Sequence, residues 1–139
     1  MKVRKLTETK QVKVKDIDFE IRFISRKIWR SIPSRLASCF SVFGSGNDNL
    51  QEKMSGANKE DVKEASIELQ DVYTELVKYG VLSHSGIVDE EDKEIPASKD
   101  DDGNLGSETI DLYDLNGLLV PLASEILAFN TLSDGDKKN

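Results

Sequence analysis

With 139 residues, the chain has room for one domain and a modest core, because 37% of its residues are hydrophobic and 32% charged. Its single cysteine, Cys39, excludes an internal disulfide and a cysteine-based zinc site, and no run approaches the roughly 20 apolar residues that span a bilayer. The net charge of −7 is unevenly spread: residues 1–43 hold eleven Lys/Arg against four Asp/Glu, the remainder eight against twenty-two.

In chain order, the N-terminus is basic but is followed by no apolar run of signal-peptide length, which predicts a cytoplasmic protein. Val12 and Val14 alternate with lysines. Ile17, Phe19, Ile21 and Phe23 then alternate with charged residues, with the phase slipping by one at Lys15-Asp16. A period of two is that of a half-buried strand, so residues 3–7 and 11–24 are expected to form a small antiparallel sheet within 1–24, with a bulge or turn at the slip. From Ser25, an N-cap type, Ile28, Ile32, Leu36, Phe40 and Phe43 recur at helical spacing. Pro33 breaks the segment 25–43 into two helices or kinks one.

Residues 44–58 read as a loop rich in Gly, Ser and Asn. Val62, Ala65, Leu69, Val72, Leu76 and Tyr79 then predict a helix over 59–79, with Asn58 as cap, Glu60 and Asp61 in the first turn and Gly80 as a C-cap glycine. The acidic runs Asp89–Asp92 and Asp100–Asp102 predict an exposed, mobile loop over 83–106. Residues 107–132 read as helical, with a short helix ending near Asn116 and a second over about 119–131 carrying Leu119, Leu122, Ile126 and Phe129; a polar tail, 133–139, follows. The expected fold is α+β, a single domain over 1–139 with a small N-terminal antiparallel sheet against three to four amphipathic helices.

Tests for chemistry return little. Aligning Gly103 with the invariant glycine of a calcium loop puts Asp100 and Asp102 on ligand positions. It also puts Ser98 on the first and Thr109 on the last, where carboxylates are required, so no metal is expected. His84 is the sole histidine, and Gly44-Ser45-Gly46 is not a nucleophile elbow. Cys39 reads as a packed thiol, and a Cys39–His84 pair is the weakest reading. No phosphate-binding glycine motif is present, so no cofactor is expected. Arg26, Lys27, Arg30 and Arg35, beside Trp29, make the one basic patch suited to nucleic acid, a reading that the overall negative charge opposes.

The C-terminal third carries a particular order of parts: Tyr79-Gly80-Val81, Gly86-Ile87-Val88-Asp89, Lys93-Glu94-Ile95-Pro96, a helical stretch at Leu112–Leu115, then Pro121–Leu127 and Asn130-Thr131-Leu132-Ser133. It resembles the small morphogenesis proteins of tailed-phage and prophage tail modules, tail assembly chaperones above all. The resemblance implies a non-enzymatic protein of the host-cell cytoplasm that coats a long helical tape-measure-like client and yields it as tail tube subunits polymerise. Candidate contact residues on the two amphipathic helices are then Val62, Leu69, Val72, Leu76, Tyr79, Leu119, Leu122, Ile126 and Phe129. The competing reading consumes both stripes in the core. A structural protein retained in the particle, a homo-oligomer joined head to tail by its opposite charges, and a nucleic-acid-binding regulator using Arg26, Lys27, Arg30 and Arg35 are the alternatives.

Overall fold

A computed structural model describes residues 1–42 and 59–131; the expected loop 44–58, the Asn58 cap and the tail 133–139 lie outside them. The fold is α+β, with β1 Thr9–Val14, β2 Ile17–Arg22, α1 Arg26–Trp29, α2 Ile32–Val42, α3 Lys59–Gly80, β3 Val81–Ser85, α4 Ser107–Leu115 and α5 Leu119–Thr131. The chain divides into two compact units, a sheet unit of Met1–Ile24 with Thr74–Asn139, and a helical unit of Ser25–Tyr73.

In the sheet unit the strand order is β1-β2-β3, antiparallel throughout. The slip in the hydrophobic pattern is a two-residue turn: Lys15 and Asp16 both take positive φ (49° and 65°), and Val14 pairs with Ile17 across it. That conformation matches the twist of a hairpin although neither residue is glycine. The alternation then buries Val12, Val14, Phe19 and Ile21 on one face. Helix α5 lies against β1 and β2 there and buries Leu119, Leu122, Ala123, Ile126 and Phe129. Residues 3–7, expected as a strand, are not one. They contain a turn, closed by the Glu8 N–H on the Lys5 carbonyl, and Val3 and Leu6 are exposed. What fixes this segment is Arg4, which donates to the Phe129 carbonyl at 2.8 Å and lies over the stacked rings of Phe23 and Phe129.

The third strand is a correction to the expected loop. Val81–Ser85 pairs with β2 directly after α3, with a register irregularity at Glu20/Ile21. Gly80 does not end α3 in the left-handed conformation expected of a C-cap glycine. A Cβ at that position would sit 2.5 Å from Ile126 Cγ2, so the absence of a side chain is what lets α3 approach α5. The last carbonyls of α3 are satisfied from elsewhere in the sheet unit. The Leu105 N–H donates to Lys78 O, and Arg22 Nε donates to Tyr79 O at 3.0 Å while its Nη2 reaches Asn104 Oδ1.

A glycine of the expected kind ends α4 instead. Gly117 has φ 71°, its N–H donates to Asp114 O, and Leu118 N–H donates to Tyr113 O. This pair of bonds closes the helix and feeds the buried Leu118 and Leu119 into α5.

Residues 83–106 are built, beyond β3, from two copies of one turn. In each, an aspartate carboxylate oxygen accepts the N–H groups two and four residues on: Asp89 from Glu91 and Lys93, Asp100 from Asp102 and Asn104, all at 2.8–3.0 Å. In each, the aspartate N–H donates to the carbonyl four residues on, and the N–H three residues on donates back to the aspartate carbonyl. The fourth residue has positive φ in both, Asp92 at 62° and Gly103 at 81°. The flanking residues close an antiparallel bridge, Val88 with Glu94 and Lys99 with Leu105. The acidic runs are therefore hydrogen-bonded turns, because aspartate mimics backbone in such bends.

In the helical unit, α1 and α2 are separate, as one of the two readings of Pro33 required, but the break falls at Arg30-Ser31. Pro33 lies in the first turn of α2, where its missing N–H has no helical acceptor to lose. Ser25 occupies the N-cap of α1 without a side-chain capping bond. Ile32, Leu36 and Cys39 are the buried residues of α2, and Arg35 Nε donates to Glu68 Oε1 at 2.5 Å.

Candidate functional site

His84 is the chain's single histidine and its one imidazole general-base candidate. Its place on β3 leaves it half-buried, with both ring nitrogens engaged: Nδ1 lies 2.6 Å from the Tyr113 hydroxyl and Nε2 2.6 Å from the Ile95 carbonyl. A carbonyl only accepts, so Nε2 carries the proton, and in the neutral ring Nδ1 accepts from Tyr113. Tyr113 is fully buried between α4 and the sheet, edge-on to Phe19 at 5.4 Å. Burial holds its phenol well above the ordinary range. The ring of His84 thus ties β3, the loop after it and α4 together.

Cys39 belongs to the helical unit, His84 to the sheet unit. Burial first, and then the Glu68 carboxylate, push the Cys39 thiol up, against a smaller opposite pull from Arg35. That is the reverse of what activates a thiolate nucleophile.

In the segment aligned with a calcium loop the polar groups bond to one another. Asp100 Oδ1 is occupied by two backbone N–H groups, and the two positions lacking carboxylates meet each other, with Ser98 N–H and Oγ both 2.8 Å from Thr109 Oγ1. Among the described residues no group of three or more His, Cys, Asp or Glu is placed to hold a metal ion.

Of the nine candidate contact residues, Val72, Leu76, Leu119, Leu122 and Ile126 are at most 2% exposed and Phe129 is also buried, so their side chains are in the core. Val62, Leu69 and Tyr79 are half-buried. Val62 and Leu69 are seven residues apart on α3, and Tyr73, also half-buried and four residues further, continues the same line. They flank the buried Ala65 and Val72. On α2, Phe40 is 44% exposed beside the buried Leu36. Tyr73 and Phe40 were legible as apolar positions of these stripes; that they lie at the stripe margin depends on packing, which periodicity does not give.

The four basic residues are used differently from one another. Arg35 is paired with Glu68, Arg26 lies over the Trp29 ring at 5.5 Å, and Lys27 and Arg30 are exposed. Trp29, the aromatic beside this patch, is half-buried and faces Arg26. The chain matches no protein-family model, no curated protein and no solved structure.

Proposed function

We propose that the chain is a non-enzymatic protein-binding factor that holds a helical client along α3, and that its setting is tailed-phage tail assembly, with a long tape-measure-like protein or tail tube subunits as client. One observation carries the binding reading: the half-buried line Val62, Leu69 and Tyr73 on the helical unit. Positions i, i+7 and i+11 of a helix lie on one side, so these three offer an apolar seam about 16 Å long. A client helix laid along it would complete the burial of each side chain, which is how amphipathic helices recognise grooves and one another. The tail-assembly setting comes from the resemblance of the C-terminal third and stands or falls with the identity of the client.

The test has two parts. Tagged protein from the native host, washed at moderate salt, should retain one very long helical protein or tail tube subunits. Replacing Val62 and Tyr73 together by serine should lower that capture by about tenfold or more, since two truncated apolar contacts of this size suffice. The control is Ile67→Ser: Ile67 is 54% exposed on the opposite side of α3 and should not matter. Recovery of nucleic acid that washes off with salt, and of no such protein, would instead favour Lys27 and Arg30 as the working surface.

A further inference from the structure

Among the described residues, neither edge of the sheet, β1 or β3, pairs with a further strand. At the β3 edge the Leu82 carbonyl is taken by the Lys99 ammonium. β1 is the other edge, and among the described residues no strand pairs with its outer side. Which backbone groups it presents follows from the turn. In an antiparallel hairpin with a two-residue loop, the flanking pair exchanges hydrogen bonds and bonding alternates from there. Val14, Val12 and Lys10 therefore bond inward to β2, while Gln11 and Lys13 direct N–H and C=O outward. Along this edge Lys10, Lys13 and Lys15 are exposed, and residues 1–15 hold six basic side chains against one acidic.

We propose that the outer edge of β1 takes up an extended acidic segment of a protein partner as an added strand. Lysines along an edge repel a second copy of the same strand, a device by which sheets avoid pairing with themselves. The same charges attract a strand carrying Glu or Asp at the neighbouring positions, so the edge selects by charge while the backbone supplies the ladder. Lys13 already lies 3.6 Å from Asp18, but both side chains are more than half exposed, so its ammonium can be shared with an incoming carboxylate. The acidic turns of a second copy are poor occupants. Asp89 and Asp100 bend the chain back within five residues and bond their own backbone, which leaves no extended strand to add.

The probe is a synthetic peptide of about eight residues alternating Glu and Val, long enough to cover one strand, titrated into the full-length protein with its Lys/Val counterpart as control. Saturable binding is expected for the acidic peptide alone, with the largest amide shifts and slowed hydrogen exchange at Gln11 and Lys13. Gln11→Pro removes an outward N–H without touching the β1–β2 ladder and should weaken binding about tenfold with helix content unchanged. Lys10→Glu with Lys13→Glu keeps the backbone and should invert the preference between the two peptides. No saturation at millimolar peptide, shifts confined to residues outside β1, or undiminished binding by Gln11→Pro would each overturn the proposal. So would a dimer by light scattering in which the Gln11 and Lys13 amides are protected before any peptide is added, since the edge would then belong to a second copy.

Discussion

Tyr113 and His84 lend themselves to a quantitative test because the phenol is fully buried and its bond to Nδ1 is the polar contact drawn for it. Tyr113→Phe removes one hydrogen bond, a net loss of about 1 kcal/mol at neutral pH. The loss should not be constant with pH. The phenol's reference value is 10.0, and burial raises it in the native state. Above about pH 10 the unfolded chain therefore releases a proton that the native chain keeps, and unfolding is favoured. The stabilising contribution is complete below the unfolded value and drains as pH rises past it, at about 1.4 kcal/mol per pH unit. By about pH 11 the wild type has lost about 1.4 kcal/mol that the phenylalanine variant, with nothing to ionise, retains. The wild type should thus be the more stable at about pH 8 and have no advantage left by about pH 11. Urea unfolding followed by circular dichroism across that range measures both curves, and their difference isolates the Tyr113 hydroxyl. A gap between the two proteins that stays constant over the whole range would refute the placement of Tyr113.

Two further outcomes follow from single contacts. Gly80→Ala, which helix propensity alone would make favourable, should instead destabilise by about 1–3 kcal/mol because its Cβ meets Ile126 Cγ2 at 2.5 Å; a rise in the urea midpoint would contradict that approach. Asp100→Ala should cost about 1 kcal/mol, and Asp89→Ala less, because Asp100 is half-buried in a turn that also meets Arg22 through Asn104, while Asp89 is exposed. Thermal melts of the two variants would show the order.

What was legible in the sequence was what a repeated side-chain pattern can carry. The hairpin showed in the period-two run and its slip at Lys15-Asp16, and α3 and α5 showed in their apolar stripes. Strand β3 did not show, because only Val81 and Leu82 of its five residues are apolar and its partner β2 lies some sixty positions earlier. The twin turns were hidden by their charge. A run of acids reads as a solvated loop, and only the hydrogen bonds reveal that Asp89 and Asp100 do the same local work in both. Gly80 misled for a related reason: a glycine at a helix end usually supplies a left-handed residue, and here it supplies room for Ile126. As for the candidate contacts, periodicity marked the apolar stripe but not its depth, so it did not separate Val72 in the core from Val62 and Leu69 at the margin.

The sheet unit is discontinuous, its two segments separated by the whole of Ser25–Tyr73, and Arg4 meets Phe129 across 125 positions. During synthesis, β1 and β2 leave the ribosome long before α5, the helix that covers their apolar face, has been made. The hairpin must wait with Val12, Phe19 and Ile21 uncovered, whereas the contiguous helical unit has all its residues at hand much earlier. Loop closure over so long a separation is the slow part of such a topology. A nascent chain cut short before Leu119 would therefore leave its oldest strands without the helix that covers their apolar face.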